Sequence, residues 1–298
     1  MNPAAQLFWY RVLTALTPRS SPAHGKWRDK KHRLRALLAR RERAAFWDRR
    51  IAAVLACSDT ASLPRVSNAG EVIGRDQVMH NGVKVALGTY YTPHMRRLLA
   101  ASGGVHEPQE ERVFAAVLPH LPAGAVMLEL GAYWAFYSLW FQQAVSQARN
   151  ILVEPDGANL NAGRLNFALN QRTGEFFQGG VGERYSTHPY DAPTVSVDWL
   201  AEKFQLERVH LLHSDIQGFE LAMLRGADRM LRERRVDYIF ISTHGEALHR
   251  QCRQELVARD YHIFAEHTLA ESYSVDGLLA ARRRELPGVD HTPISKKK

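Results

Sequence analysis

The feature that most constrains the fold is a strand–turn–helix–strand pattern near the middle of the chain. An apolar run from Val126 to Leu130 leads into a Gly131-Ala132 turn, an aromatic amphipathic segment and a second apolar run that ends at Glu154. This order predicts a βαβ unit, in which ligands bind outside the carboxyl ends of the strands. Glu154 stands 25 positions after Glu129, a spacing that suits an acid bound to ribose. The pattern therefore predicts either a nucleoside site or an ordinary turn without a ligand.

The rest of the chain continues the alternation of strands and helices. A helix with Pro108 in its first turn precedes the unit, and predicted strands follow at 175–178, 209–213, 238–242, 262–265 and 278–281. Helices are predicted between them, at about 157–170, 217–232 and 246–259. The sequence thus predicts an α/β fold with a Rossmann-like, doubly wound, mainly parallel sheet of seven strands.

The chain before residue 105 has a different character. Residues 1–60 carry 13 Lys or Arg and 4 Asp or Glu, a local charge of +9, so the remaining residues carry −1 of the net charge of +8. They predict a basic helical extension, with helices over 1–17 and 29–56 and a linker over Pro18–Gly25. Residues 61–104 predict a β-hairpin around Asn81-Gly82 and a connecting segment, and 105–298 the sheet domain. The extension is either a solvated helix or a contact for an anionic surface or partner.

The composition is that of an ordinary globular protein, with 45% hydrophobic and 23% charged residues. The two cysteines, Cys57 and Cys252, lie far apart and form no CxxC pair, which favours a reducing, cytoplasmic location. No signal peptide or transmembrane segment is predicted. The oligomeric state does not follow from the sequence.

Three segments resemble, in order, the FkbM family of S-adenosylmethionine-dependent methyltransferases over about residues 105–281. The first has an acid, a Gly-Ala turn and a Tyr-Ser pair, the second Glu-Pro and an Asn-rich helix, and the third an Asp-x-x-Gly-x-Glu segment before Leu-x-Gly-Ala. Their positions are Glu129, Gly131, Ala132, Tyr137 and Ser138; Glu154, Pro155, Asn166 and Asn170; and Asp215, Gly218, Glu220, Leu224, Gly226 and Ala227. The chain departs from this pattern at Tyr133 and Ala135, where the family usually has Asn and Gly.

The resemblance implies that residues 105–298 form a methyltransferase domain with S-adenosylmethionine as its cofactor. It also implies O-methylation of a hydroxyl on a small molecule or saccharide. The residues expected to bind the cofactor are Glu129, Gly131, Ala132, Tyr137, Ser138, Glu154, Gly180 and Asp215. His106, Glu107 and Gln217 are expected at the rim of the substrate site, although acids beside a helix N-terminus also stabilise the helix.

The catalytic candidates follow two neighbouring strands, where His213 and Asp215 end one strand and His244 ends the next. A histidine oriented by a carboxylate is an effective general base, so His244 is expected to titrate near neutral pH and accept the acceptor's proton. Ser214 and Gln217 also match a capping box for the following helix. A divalent metal held by His213, Asp215, His244 and His249 is the alternative, but magnesium prefers oxygen ligands, so no metal is expected.

Two other functions fit the same sequence. A nucleic-acid methyltransferase would use the basic extension to bind phosphates, and its affinity would then fall steeply with salt. A non-catalytic nucleoside-binding protein would result if Tyr133 and Ala135 blocked the cofactor turn. Calorimetry with S-adenosylmethionine separates the last possibility from the enzymes.

Overall fold

The computed structural model describes residues 22–90, 92–187 and 191–298, with side chains from residue 28 onward. The chain divides into two units, residues 1–52 and 53–298. Helix α1 (Pro22–Ala56) accounts for the described part of the first unit. The helix predicted over 29–56 is confirmed, but the linker prediction is wrong for Pro22–Gly25, because proline is compatible with the first turn of a helix. The helix predicted over 1–17 lies outside the described residues.

The second unit contains the remaining elements. Before the main sheet come α2 (Ser58–Ser62), β1 (Val72–Ile73), β2 (Asp76–Val78), β3 (Lys84–Ala86), α3 (Pro93–Ser102) and α4 (Pro108–Val117). The first half of the sheet domain contains β4 (Val126–Leu130), α5 (Phe136–Ala144), β5 (Arg149–Glu154), α6 (Gly157–Leu169), β6 (Glu175–Gln178), β7 (Gly180–Val181), β8 (Thr194–Val195) and α7 (Val197–Lys203). The second half contains β9 (Val209–Ser214), α8 (Glu220–Arg225), α9 (Asp228–Arg232), β10 (Val236–Thr243), α10 (Glu246–Ala258), β11 (Tyr261–His267) and β12 (Gly277–Arg283).

Seven of the described strands form the main sheet, in the order β11-β12-β10-β9-β4-β5-β6. The five strands from β10 to β6 are parallel, whereas β12 is antiparallel to both of its neighbours. The predicted doubly wound, mainly parallel sheet of seven strands is therefore confirmed. Within the described part of the chain, no helix is long and apolar enough to cross a membrane.

The strand order reverses between β4 and β9, and this reversal locates the ligand edge of the sheet. Leu130 of β4 pairs with Val153 of β5 on one side and with Ser214 of β9 on the other. The connections that follow β4 and β9 run to opposite sides of the sheet, which opens a crevice at the carboxyl ends of these two strands. Because β12 is antiparallel, its amino end lies at this same edge, where Gly277 pairs with Thr243.

The two faces of the sheet differ in polarity. Leu128 and Leu130 belong to an apolar core that includes residues of α7, α8, α9 and α10. Alternation along a strand sends Glu129 to the opposite face. His213 on that second face lies against Phe114 of α4, and polar groups are therefore buried between the sheet and α4 and α5.

The predicted hairpin is confirmed, since β2 and β3 are antiparallel with Asn81-Gly82 in the connection. Gly82 has a φ of 90°, which suits glycine. The Asn-rich helix α6 binds the outer strand of the hairpin, because Asn166 and Asn170 accept hydrogen bonds from the backbone of β3 at 2.9 Å each. These asparagines therefore have a structural role, and Asn166 also donates from Nδ2 to the Trp134 carbonyl oxygen of the turn after β4 at 2.9 Å.

Candidate functional site

The turn after β4 brings the backbone of two strands into close contact. Gly131 has a φ of 77°, and a Cβ atom at this position would lie 1.8 Å from the carbonyl oxygen of Asp215. Only glycine fits there. Tyr133 and Ala135 also have positive φ values, 42° and 65°, which are uncommon for such residues. The turn thus keeps a conformation suited to Asn and Gly although it contains neither at these positions.

Glu154 at the end of β5 holds this turn in place. Its Oε2 accepts a hydrogen bond from the Tyr133 amide at 3.1 Å, and its Oε1 accepts from the Asp156 amide at 3.0 Å and from Asn159 Nδ2 at 3.3 Å. Burial raises the pKa of the Glu154 carboxyl group, although these donors oppose the shift. The carboxylate is therefore fixed in one orientation.

A cavity of about 570 Å³ opens between this turn, Glu154 and the end of β9. Five residues predicted for the site lie in its wall: Gly131, Glu154, Gly180, Asp215 and Gln217. The wall also contains residues outside the predicted cofactor and rim sets, and these are Tyr133, Pro155, Val181, Gly182, Glu183, Thr194, Ile216, Phe219 and Ala222. The volume is within the range of about 300–1,000 Å³ that small-molecule sites span.

Four other predicted cofactor residues lie in the interior of the domain and are absent from the described cavity wall. Ala132, Tyr137 and Ser138 are buried in the turn and in α5, and Glu129 is 3% exposed on the polar face of the sheet. Burial raises the pKa of the Glu129 carboxyl group to about 7, against the opposing effects of His213 and Ser138. Contact of these four residues, Glu129, Ala132, Tyr137 and Ser138, with a cofactor stays a prediction.

His213 is part of a buried bridge between the sheet and α4. Its Nε2 lies 2.7 Å from Glu110 Oε1, and Ser242 donates to Glu110 Oε2 at 2.9 Å. The ring of Tyr137 lies 4.3 Å from that of His213, between centroids. Burial lowers the pKa of His213, but the hydrogen bond and charge of Glu110 raise it overall. The structure therefore surrounds His213 with buried partners, and its predicted catalytic role has no support from these contacts.

His106 and Glu107 were expected at the rim, but His106 is only 4% exposed. Its Nδ1 lies 2.6 Å from Glu111 Oε1 and its Nε2 3.2 Å from Glu107 Oε2, and Tyr137 donates to the same oxygen of Glu107. Burial lowers the pKa of His106, but the charges of Glu107 and Glu111 raise it to about 10. His106 is a buried cation in an aromatic environment, not a residue of the rim, because Trp134 and the start of α5 cover it.

His244 lies at the ligand edge among three carboxylates. Its Nε2 is 3.2 Å from Asp215 Oδ1 and 3.3 Å from Asp276 Oδ1, and its Nδ1 is 2.7 Å from Glu220 Oε1. Gln217 Nε2 donates to the same Asp215 oxygen at 2.9 Å. The predicted meeting of His244 with Asp215 is therefore observed.

The charge of His244 differs from the expectation. Burial lowers the pKa of its imidazole, but hydrogen bonds to Asp215 and Glu220 and the charge of Asp276 raise it to about 10. At neutral pH the ring is then an imidazolium and does not accept a proton. The expected titration near neutrality does not fit these surroundings, which were invisible in the sequence.

Other local expectations are wrong for identifiable reasons. The Ser214–Gln217 capping box does not form, because pairing with Leu130 and Ile241 extends β9 through Ser214, and α8 begins only at Glu220. His249, the fourth residue of the metal alternative, is 3% exposed, and its Nδ1 lies 2.9 Å from Thr243 Oγ1. Among the described residues, no three His, Cys, Asp or Glu side chains are arranged to hold a metal ion.

Asp276 and Phe219 are two residues of this edge that sequence reasoning missed. Asp276 immediately precedes β12, and its position follows from the antiparallel direction of that strand. The available signal was the polar segment between the two last predicted strands. Phe219 is 59% exposed in the cavity wall, immediately before α8. The sequence pattern had placed it inside the predicted helix over 217–232.

A family model described as the methyltransferase FkbM domain matches residues 90–263. No curated protein matches the sequence. The cavity, the Gly131 turn, Glu154 and the Asp215–His244 pair all lie within the matched range, whereas Asp276 lies beyond it.

Solved structures with a similar fold include several methyltransferases. The precorrin-6y C5,15-methyltransferase of Geobacter metallireducens GS-15 is 16% identical, with 59% of this chain and 88% of that chain covered and a TM-score of 0.40. The ribosomal protein L11 methylase of Lactobacillus delbrueckii subsp. bulgaricus is 13% identical, with 61% of this chain and 82% of that chain covered and a TM-score of 0.41. Aeropyrum pernix fibrillarin, solved with natively bound S-adenosyl-L-methionine, is 16% identical, with 54% of this chain and 67% of that chain covered and a TM-score of 0.37.

Proposed function

Because the chain belongs to the family defined by the FkbM methyltransferase domain, we propose that the cavity at the carboxyl edge of its sheet binds S-adenosylmethionine. The chain is a methyltransferase, and S-adenosylmethionine is its cofactor. The observation that carries the assignment of the site is the meeting of the Gly131 turn, the anchored Glu154 carboxylate and the end of β9 around one cavity.

The residues of the cavity fit this cofactor. Close approach of backbone is possible at Gly131, where a side chain would collide with the Asp215 carbonyl group. The Glu154 carboxylate has a fixed orientation and lies in the cavity wall, as an acid that receives ribose hydroxyl hydrogen bonds must. Gly180 and Gly182 lie in the cavity wall after β6, where we propose that the adenine binds.

S-adenosylmethionine supplies an electrophilic methyl group, so that an acceptor oxygen forms a C–O bond while the C–S bond breaks and its electron pair stays on sulfur. The protein then has to align the acceptor and remove its proton. Asp215 lies in the cavity wall and also contacts His244, so we assign the acceptor to this side of the cavity. Asp215 and Gln217 are suited to hydrogen-bond a hydroxyl acceptor.

The acceptor that we propose is a hydroxyl group on a small molecule or saccharide. The family resemblance favours O-methylation, and two observations support a saccharide-like acceptor. The side chains of Asp215 and Gln217 offer polar groups, and the exposed ring of Phe219 in the same wall offers an apolar surface for the C–H face of a sugar.

Nucleic acid is the less favoured acceptor, because the edge at which it would have to dock is acidic. Asp215, Glu220 and Asp276 surround the single cation of His244, and this cluster would repel phosphates. A non-catalytic binding protein is also less favoured, because the turn with Tyr133 and Ala135 keeps its positive φ values and the cavity beside it is open.

The experiment that tests this function is a titration of the full chain with S-adenosylmethionine by calorimetry, followed by transfer of a labelled methyl group to a panel of acceptors. The panel contains neutral saccharides and polyols, small phenols, tRNA and ribosomal RNA. We expect saturable cofactor binding and methylation of a neutral hydroxyl compound. No cofactor binding by the folded protein would refute the site, and exclusive methylation of RNA would refute the acceptor class.

We propose a separate role for the extension. The described part of α1 exposes a run of basic side chains: Lys30, Arg33, Arg35, Arg40, Arg41 and Arg43. These charges suit an anionic surface or partner. Cys57 and Cys252 are free and buried, which supports the cytoplasm as the proposed location.

A further inference from the structure

The loop between β9 and α8, residues 215–219, forms much of one side of the cavity. Asp215, Ile216, Gln217 and Phe219 all lie in the cavity wall. Phe219 is 59% exposed, so a large apolar surface stays open there. An open aromatic ring beside polar side chains suits a ligand that has an apolar ring face and hydroxyl groups. The β9–α8 loop is therefore well equipped to contact an acceptor.

The backbone of this loop has an uncommon conformation. Gln217 and Gly218 have successive positive φ values of 54° and 106°. Glycine tolerates this region, whereas the side chain of Gln217 makes it unfavourable. Within the loop, the Phe219 amide donates to the Ile216 carbonyl oxygen at 3.4 Å, a long and therefore weak hydrogen bond. The loop thus depends on contacts with side chains to keep its shape.

Two carboxylates and one imidazole supply these contacts. The Gly218 amide donates to Glu220 Oε1 at 3.0 Å, and Gln217 Nε2 donates to Asp215 Oδ1 at 2.9 Å. His244 lies between the two acids: its Nδ1 is 2.7 Å from the same Glu220 oxygen, and its Nε2 is 3.2 Å from the same Asp215 oxygen. One imidazole ring therefore joins the start of the loop to the first residue of α8.

The charge of this ring matters because Glu220 is buried. The Glu220 side chain is 0% exposed, and a buried carboxylate without a partner is strongly unfavourable. Asp276, which precedes β12, lies 3.3 Å from His244 Nε2 and is a third carboxylate partner of the ring. Burial lowers the pKa of His244, but its carboxylate partners raise it to about 10. Loss of the imidazolium would therefore drive the Glu220 carboxylate toward solvent and release the Gly218 amide.

We propose that the β9–α8 loop recognises the acceptor and that His244 is the residue that positions this loop. The imidazolium binds Asp215 where the loop begins and Glu220 where α8 begins. It thereby keeps Gln217 and Phe219 in the cavity wall, where Phe219 selects acceptors that have an apolar ring face. This inference rests on the proposed function, because that function assigns the acceptor to the Asp215 side of the cavity.

Hydrogen exchange of the full chain, measured by mass spectrometry of peptides that cover the loop, tests the positioning role without any ligand. In His244→Gln the loop amides should exchange about 10- to 100-fold faster than in the wild type, because charge-assisted hydrogen bonds are lost. His249→Gln is the matched control, since His249 is also buried but its Nδ1 contacts Thr243 Oγ1 at 2.9 Å. Unchanged exchange in folded His244→Gln would overturn the proposal.

Chemical rescue separates a positioning cation from a side chain that only fills space. Imidazole added to His244→Gly can occupy the vacated position as a cation, whereas pyrazole has nearly the same size and stays neutral. We expect imidazole to restore slow exchange of the loop and pyrazole to leave it fast. Equal rescue by both compounds would overturn the role of the charge.

A double variant controls for unfolding of the single variants. In His244→Gln/Glu220→Gln both charges are absent, and the amide oxygen at position 220 can still accept the Gly218 hydrogen bond. The loop of the double variant should exchange more slowly than that of His244→Gln, and the protein should unfold at a higher temperature. Exchange in the double variant that is as fast as in His244→Gln would contradict the role assigned to Glu220.

Methyl transfer to the acceptor panel tests the recognition role. Phe219→Ala should raise KM for an acceptor with a ring about tenfold and leave kcat nearly unchanged, because an apolar contact in the wall is lost. His244→Gly should change both constants, and imidazole should reverse the change. S-adenosylhomocysteine should bind both variants about as tightly as it binds the wild type. An unchanged KM in Phe219→Ala would remove the loop from acceptor recognition.

The outcomes separate this proposal from the proposed function. If neither S-adenosylmethionine nor S-adenosylhomocysteine binds the folded wild-type protein, the cofactor site itself is wrong. If the cofactor binds but no hydroxyl compound of the panel is methylated, the assignment of the loop to such an acceptor is wrong. If a hydroxyl compound is methylated while loop exchange is the same in His244→Gln and the wild type, the proposed function stands and His244 does not position the loop.

Discussion

Replacement of Glu154 by alanine tests the cofactor site most directly, because this side chain has two separable tasks. One is to receive a hydrogen bond from ribose, and the other is to hold the turn through the Tyr133 and Asp156 amides and Asn159. A charge-assisted hydrogen bond contributes about 1.5–3 kcal/mol, and an unpaired buried amide costs about 1–3 kcal/mol. We therefore expect Glu154→Ala to weaken S-adenosylmethionine binding by about 1–3 kcal/mol, roughly 5- to 150-fold.

Glu154→Gln separates the two tasks in part. A glutamine has one acceptor oxygen and one amino group, so it can satisfy the Tyr133 amide or the Asp156 amide but not both. The affinity of Glu154→Gln for S-adenosylmethionine should lie between the affinities of the wild type and of the alanine variant. Calorimetry with S-adenosylmethionine and S-adenosylhomocysteine is the assay, with thermal unfolding as the control for folding.

The pattern across the two ligands is as informative as the size of the effect. Both ligands contain the ribose, so Glu154→Ala should weaken the binding of both equally. An unchanged dissociation constant in a folded Glu154→Ala protein would remove Glu154 from the cofactor site and refute the reasoning from its position.

Three further predictions follow from the buried and basic groups. Burial raises the pKa of Glu129 from 4.5 to about 7, so the free energy of unfolding should fall as the pH rises from about 4.5 to 7. In urea unfolding, Glu129→Gln should therefore be more stable than the wild type by up to about 3 kcal/mol at pH 8 and should differ little from it at pH 4.5. His244→Ala should lower turnover on the identified acceptor about 10²-fold, because Asp215 and Asp276 then repel each other, and the wild-type rate should show no ionisation step near pH 7. Deletion of residues 1–52 should leave cofactor affinity unchanged and abolish salt-sensitive binding to anionic vesicles or polynucleotides, and failure of the remainder to fold would show that the extension belongs to the core.

The parts of the fold that were predictable from sequence are those fixed by local patterns. Continuous apolar runs such as that of β10 predict strands buried on both faces, and Asn81-Gly82 predicts a hairpin, because each depends on residues close together in the chain. Glu154 was predictable for the same reason, since its place at the end of β5 follows from its spacing to the first strand.

The parts that were not predictable depend on contacts between distant segments. The pKa of His244 is set by Asp215, Glu220 and Asp276, which reach it from three different elements. Nothing local to His244 distinguishes a neutral base from a cation that carboxylates surround. His106 is similar: its position before α4 suggests a rim, but the side chains of Trp134 and Phe136 cover it.

The departure from the family pattern at residue 135 has a local structural explanation. The alanine there has a φ of 65°, where glycine would be unstrained, and its Cβ needs space on the side of α6. Gly163 of α6 provides that space, since a Cβ built at Gly163 would lie 3.4 Å from the Ala135 Cβ and 3.2 Å from the Tyr133 carbonyl oxygen. The methyl group that the turn gains at residue 135 thus packs against a helix position without a side chain. The turn keeps its shape because the crowding is relieved on α6 and not in the cavity, where Tyr133 joins the wall.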